Sequence, residues 1–411
     1  MKMEAKGFIK VVIVCTLLCS ITPLYAAIPW LYVDGNDIKD PAGNVVVLRG
    51  VAMIDLGETQ FDRGGAKAMV DRVTNKNDPC GSSPGWYPNV IRVAVYPSDE
   101  PSFSSPFPWS YAGRDLYYNN LLRPVVDYCA QKGVYVIIDW HYVGREGVST
   151  YDKATQTSTF WTDIAPRFAN DSHVLFELFN EPYNLAGADD AARWESCRVN
   201  MQAWTNIVRA SASDNLILVA GPQWSQIIAP CASNPVTGGN IVYVSHIYPL
   251  HWLTANAYHT NQIKTCVAAH PVMMTEWGFF HPADIPLHDG TITNYGQPLM
   301  NFREEQGIGN TAWCADWDWK PPMFKSYPLW GLRIGEGEMG GFTKDKLYEK
   351  RNDDQPSYGS VDFIDYADFA VEWGRTDCGP AGAWCNGADF NHDKFVRVDD
   401  LEQFVSSWLD E

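Results

Sequence analysis

Val134-Tyr135-Val136-Ile137-Ile138-Asp139-Trp140-His141 is an apolar, β-branched run that turns polar only at its end. A strand with one face in water alternates apolar and polar residues. A run this continuous predicts a strand covered on both faces, as in a parallel sheet. Seven similar runs surround it: Val45–Met53 and Val90–Tyr96 before it, then Val174–Pro182, Asn215–Gly221, Ile241–Tyr248, Pro271–Gly278 and Asn310–Asp316. The intervals are helical or looped, and Asp115–Lys132 and Ala191–Ala212 are the clearest helices. Eight β-then-α units in about 310 residues predict an α/β chain folded as a (β/α)8 TIM barrel. An open doubly wound sheet calls for a glycine fingerprint after its first strand, and none is present. Ahead of the first run, Leu31–Val33 and Ile38 flank turns at Asp34-Gly35-Asn36 and Asp40–Asn44, which reads as a small hairpin.

The chain has 411 residues, 46% of them hydrophobic, and a formal charge of −18. That leaves ample material for a large core, and the acidity argues against nucleic-acid partners and anionic membrane surfaces. Residues 1–26 read as a signal peptide: Lys2, Lys6 and Lys10, then apolar Val11–Leu18, then Ala26 before the cut. The run is short for a membrane span and is broken by Ser20, Thr22 and Pro23. The expected product is a secreted protein. Eight cysteines remain after cleavage, an even number that suggests disulfides in an exported chain. Cys378 and Cys385 close a short Gly/Pro loop and are the one pair the spacing assigns. The barrel is expected over 27–345 and a polar linker over 346–358. Residues 359–411 form a small C-terminal module. From 353 onward, 14 Asp+Glu face 3 Lys+Arg.

In barrels of this kind the active site is built at the C-terminal ends of the strands. The runs end in Arg92, in Asp139 and His141, in Asn180 and Glu181, in His246 and Tyr248, in Glu276, and in Trp313 or Trp317. Each has an ordinary structural explanation: Glu181 as a helix cap, Glu276 as partner of a barrel arginine, His246 as a satisfied core histidine. Their recurrence at one position on six strands favours a site. Two carboxylates from different strands suit glycoside cleavage, which needs one protonated and one ionised carboxyl group, and no cofactor is expected for catalysis. A serine nucleophile lacks its Gly-x-Ser-x-Gly elbow. The 17 Trp, 20 Tyr and 18 Phe suit either a heavy core or flat platforms along a sugar cleft.

Several pieces then fall in order: Val47-Leu48-Arg49-Gly50, Asn89-Val90-Ile91-Arg92, Ile137-Ile138-Asp139-Trp140-His141, Phe176-Glu177-Leu178-Phe179-Asn180-Glu181-Pro182, His246-Ile247-Tyr248 and Thr275-Glu276-Trp277-Gly278. Over residues 28–345 the chain resembles glycoside hydrolase family 5, the cellulase family of retaining barrels. The resemblance implies Glu181 as general acid/base, with Asn180 beside it on the sugar 2-hydroxyl. It implies Glu276 as nucleophile, with Arg92 and Tyr248 bonded to its carboxylate. His141 and His246 would complete the polar floor, and Trp313 would be the platform under the sugar being cleaved. Trp140, Trp224 and Trp252 are candidate cleft platforms or core residues. The implied activity is an endo-β-1,4-glucanase acting on a polysaccharide with about 5–5.5 Å between the carboxyl groups. The alternatives are a β-mannanase, a mixed-linkage glucan or xyloglucan hydrolase, and a non-catalytic carbohydrate-binding component of an assembly.

Asp389-Phe390-Asn391-His392-Asp393 continues to Phe395 and Asp400. This places side-chain oxygens of Asp389, Asn391, Asp393 and Asp400 at positions 1, 3, 5 and 12 of a calcium loop, with the Phe395 carbonyl at 7. Val361–Phe369 resembles Val396–Phe404, and Trp373 echoes Trp408. A duplicated loop-helix unit of this size resembles a dockerin, a small all-α, EF-hand-like domain, and implies a cohesin-like protein partner. The first loop carries Pro356 and Tyr358 at ligand positions, so one Ca²⁺ is expected, in the second loop. There Lys394 replaces the usual glycine, Arg397 stands at position 9, and Asp400 stands where an EF-hand has Glu.

Overall fold

Eight parallel strands hydrogen-bond edge to edge until the last returns to the first. In this computed structural model, residues 28–100, 104–144, 150–354, 369–379, 385, 388–391 and 393–409 are described. The expected signal peptide, linker residues 355–358, and most of the first loop-helix repeat lie outside them. The small hairpin is present, β1 (Tyr32–Asp34) pairing with β2 (Asp37–Lys39). The barrel strands are β3 (Arg49–Met53), β4 (Val90–Val95), β5 (Tyr135–Trp140), β6 (Val174–Glu177), β7 (Ile217–Ala220), β8 (Ile241–His246), β9 (Val272–Glu276) and β10 (Gly309–Ala312). Each lies inside one of the eight apolar runs or overlaps it, and all are buried along their whole length. Gly50 sits where the first two barrel strands approach closely: a Cβ there would lie 1.7 Å from the Val90 carbonyl oxygen.

The predicted helices form over Asp190–Arg209 and over Arg114–Gln131, the latter with a π-helical turn at Tyr118–Leu122. Asp189 caps the first, accepting from the Ala192 N–H. The last helix, Met339–Glu349, runs past residue 345, and Asp353 and Asp354 bond to Arg49 and Val47. The barrel therefore extends about nine residues beyond the expected start of the linker.

The one cysteine pair expected from spacing is bridged, and the connectivity left open is partly filled. Cys378–Cys385 forms, and a second bridge joins Cys231 to Cys266, a pairing the spacing did not assign. Cys80, Cys129, Cys197 and Cys314 are free. Three of these are buried, packed as small apolar groups, which is how an unpaired cysteine most often serves a core.

Toward the C-terminus, Phe369, Cys378, Cys385, Ala388, Val396 and Phe404 form a small separate core, with Phe369 stacked on Phe404 at 5.1 Å. The final helix spans Val398–Leu409. Among the described residues no helix is long and apolar enough to cross a membrane.

Candidate active site

Arg92, in the middle of β4, is fully buried and organises the C-terminal mouth of the barrel. Its guanidinium donates to Glu177 of β6 at 2.7 Å and to Glu276 of β9 at 2.7 Å, and forms an ion pair with Asp139 of β5 at 3.0 Å. It also donates to the Asn180 side-chain oxygen at 2.7 Å. One cation faces three buried carboxyl groups, and burial pushes the pKa of Asp139 up to about 7 and raises that of Glu177.

Glu276 ends β9 and accepts at both oxygens, from Arg92 at one and from the Tyr248 hydroxyl at 3.0 Å at the other. Glu181 lies just past β6. The strand ends at Glu177, earlier than the apolar run does, because the chain then leans toward β5. The Asn180 N–H donates to the Trp140 carbonyl and the Glu181 N–H to the Tyr142 carbonyl, both at 3.1 Å. This brings Asn180 and Glu181 over the barrel mouth. Glu181 keeps 13% side-chain exposure. Burial pushes its pKa up to about 7; Arg92 opposes the rise, and Asp139, Glu177 and Glu100 add to it. One oxygen of each carboxylate and a nitrogen of His246 lie within 4.8 Å of one another.

Both histidines are held neutral. Burial takes His141 down to about 3 and His246 down to about 4. His141 Nδ1 faces Asp139, and its Nε2 lies 3.4 Å from the Asn180 amide nitrogen. His246 Nδ1 lies 2.9 Å from Glu181, and its Nε2 lies 3.0 Å from the Thr275 hydroxyl. Trp313 follows β10 and stacks on His141 at 5.2 Å with 12° between the rings. His141 stacks in turn on Tyr96 at 4.5 Å. Trp319 meets both Tyr96 and Trp313 edge-on.

All eight residues expected in or around the site therefore converge on one mouth. The other tryptophans divide. Trp140 is fully buried, stacked on Phe160 at 4.0 Å, and belongs to the core. Trp252 packs at the core's edge beside Phe302. Trp224 is half-buried, stacks on Tyr183 at 3.9 Å and donates from Nε1 to the Gly144 carbonyl. Glu177, Thr275 and Tyr96 belong to the site but were given no role by the sequence. The signal for Glu177 was a charged residue inside an apolar run.

In the C-terminal loop, Asp389 and Asp400 are fully buried. Asp389 accepts from the Asp393 and Lys394 N–H groups, and Asp400 from those of Asn391 and Arg397. Asn391 and Asp393 are bonded within the loop and Phe395 is exposed; Arg397 reaches Asp393. Burial pushes Asp389 up to about 6, with Asp400 and Asp393 adding to the rise. Lys394 adopts φ 75°, the left-handed conformation that glycine normally supplies at this position of a calcium loop.

Comparison with known proteins gives a consistent result. Residues 65–318 match the family described as Cellulase (glycosyl hydrolase family 5). The cellulase CelDZ1 of Thermoanaerobacterium is 27% identical over 292 residues, covering 68% of this chain and 69% of that protein. Endoglucanase N of Pectobacterium atrosepticum is 26% identical over 318 residues, covering 77% and 62%. For two further endoglucanases the chain spans 52% and 54% of their length. Among solved structures, the β-glucanase SdGluc5_26A of Saccharophagus degradans shares the fold with a TM-score of 0.65 and 24% identity, over 79% of this chain and 94% of that one.

Proposed function

Since the chain belongs to glycosyl hydrolase family 5, the cellulase family, we propose that it is a secreted, retaining endo-β-1,4-glucanase. Glu276 attacks the anomeric carbon while Glu181 protonates the departing glycosidic oxygen, and a glycosyl-enzyme ester forms. Glu181, now ionised, takes a proton from water, which attacks the same carbon from the side the leaving group vacated; the ester bond breaks, Glu276 leaves as a carboxylate, and configuration is retained. Arg92 and Tyr248 stabilise the charge of Glu276. Asn180 holds the sugar 2-hydroxyl, His141 and His246 line the floor, and Trp313 offers a flat face to the sugar ring.

The observation that carries this reading is the contrast between two close carboxylates. Glu276 accepts from a guanidinium and a phenol, whereas Glu181 sits against a neutral imidazole with its pKa near 7. One oxygen of each lies within 4.8 Å of the other, which suits the retaining spacing of about 5–5.5 Å better than the roughly 6.5–9.5 Å of an inverting pair. Release of reducing sugar from carboxymethylcellulose, mannan, lichenan and xyloglucan, measured side by side, tests it. The expected preference is for carboxymethylcellulose. Preference for mannan would reassign the substrate, and inactivity on all four would favour a binding protein.

For residues 359–411 we propose a dockerin-like module that takes one Ca²⁺ through Asp389, Asn391, Asp393, the Phe395 carbonyl and Asp400, and that docks to a cohesin-like partner. Two fully buried carboxylates in one loop, together with the left-handed Lys394, support the calcium site.

A further inference from the structure

Glu181 is bonded to a histidine whose own protonation pattern is set from behind. Thr275, on β9 next to Glu276, is fully buried. Its hydroxyl lies 2.8 Å from Glu177 Oε1 and 3.0 Å from His246 Nε2. It has one proton to serve two neighbours. Glu177 accepts from Arg92 at both oxygens, 2.7 Å at one and 3.1 Å at the other, so it accepts from Thr275 as well. The Thr275 proton therefore goes to Glu177, and the Thr275 oxygen accepts from His246. A neutral imidazole that carries its proton on Nε2 presents a lone pair at Nδ1. That lone pair faces Glu181 Oε1 at 2.9 Å.

We propose that Thr275 is a positioning residue that locks His246 in the Nε2–H tautomer, so that Glu181 meets a lone pair and keeps its proton until substrate arrives. This rests on the reading of Glu181 as the general acid. An ionised Glu181 would place a carboxylate against that lone pair, and the protonated form is favoured. A flipped tautomer would donate from Nδ1 and favour the ionised form. The other charged or titratable groups facing this pair are Arg92 and Glu100 on the β4 side, Asp139 and His141 on the β5 side, Glu177 on β6, Tyr248 and His251 beyond β8, and Glu276 on β9. Removing the Thr275 hydroxyl changes none of them directly except Glu177.

Two measurements test the proposal. In ¹⁵N-histidine-labelled wild-type protein, with the signal assigned by its loss in a His246 variant, Nε2 should show the protonated shift and Nδ1 the unprotonated one. The reverse pattern overturns the proposal whether or not any variant folds. In Thr275→Val, the alkaline limb of kcat/KM on a natural glucan should move down by about one pH unit, the size expected when a charged acceptor gains one donor. With an aryl glycoside whose leaving group needs no proton, the limb should stay in place. Thr275→Ser should restore the wild-type profile. An unmoved limb in Thr275→Val, with Glu181→Gln still impaired on natural glucan, defeats this proposal alone. Full activity of Glu181→Gln on natural glucan defeats the underlying acid assignment instead.

Discussion

Glu181 and Glu276 are the same functional group separated by surroundings, and substitutions should separate them further. In the proposed mechanism Glu276 supplies the atom that forms the ester, so Glu276→Ala should lose turnover on every β-glucoside. Azide should restore cleavage of an activated substrate with inverted product. Wild-type turnover in that variant would exclude Glu276 as nucleophile. Glu181→Gln should lower turnover on natural glucans by roughly 10²–10⁴-fold, the usual contribution of a positioned acid, while sparing substrates with good leaving groups. The acid must hold its proton in the free enzyme, so kcat/KM on natural glucan should fall as pH rises through about 7. The same shift bears on stability. The folded pKa of Glu181 lies above its unfolded value of about 4.5. The protein's relative hold on that proton is thus fully present below pH 4.5 and lost between there and about 7. Glu181→Gln should therefore unfold less readily than wild type at pH 8, by on the order of 1–3 kcal/mol, and show little difference at pH 4. Equal melting differences at both pH values would mean the carboxyl is not held protonated in the fold.

At the level of elements, the strands and the two clearest helices were legible, and the finer course of the connections between them was not. The eight barrel strands follow from unbroken apolar runs, because burial on both faces removes the polar alternation that would mark another sheet type. Run ends also revealed the site, since a polar residue closing an apolar strand has only the barrel mouth to occupy. Glu177 was hidden because its partner, Arg92, is 85 residues away in sequence. The Cys231–Cys266 bridge was hidden because it depends on two connections meeting in space. Least legible is the turn after β7. Gln223, Trp224 and Ser225 take φ of 57°, 55° and 61° in succession, although none is glycine. Left-handed backbone costs roughly 1–2 kcal/mol per residue, and here it is offset by bonds to the site segment. The Trp224 N–H donates to the Pro182 carbonyl at 3.0 Å and the Ser225 hydroxyl to the Asn180 carbonyl at 2.8 Å. The turn braces the Asn180–Pro182 chain from behind, a case of strain held beside chemistry. Gln223→Gly should raise stability by about 0.5–1 kcal/mol, and Gln223→Val should lower it by more than 1 kcal/mol. Denaturant midpoints of the two variants would settle it; Val tolerated as well as Gly would mean the left-handed turn is not kept in solution.

Across the whole molecule, charge and size divide the chain into parts stabilised by different means. The barrel buries a continuous core that includes the helices packed outside it, and Arg92 pairs with three buried carboxyl groups at its mouth. Among the described residues the C-terminal part has a core of six apolar residues and one disulfide, and its sequence carries an excess of acidic groups. The proposed module of about 50 residues would bury too little apolar surface to offset much electrostatic cost, so the proposed calcium ion should contribute a large share of its stability. Asp389 states the sign of that contribution. Without an ion, burial and the neighbouring Asp400 and Asp393 raise its pKa to about 6. The ion-free loop therefore prefers a proton there and should grow less stable as pH rises from about 4 to 6. Calcium needs the ionised carboxylate, so its affinity should rise over the same interval and weaken below it. The two conditions should then give opposite pH trends. Hydrogen exchange across residues 369–409 of the full chain should slow with rising pH, after correction for intrinsic rates, when calcium is present, and should quicken when it is chelated. Glucan hydrolysis by the barrel should be unaffected by chelation. Calorimetry on the full chain should find about one calcium per molecule. No uptake, or two equivalent sites, would contradict the assignment of Asp389–Asp400 as a single calcium loop.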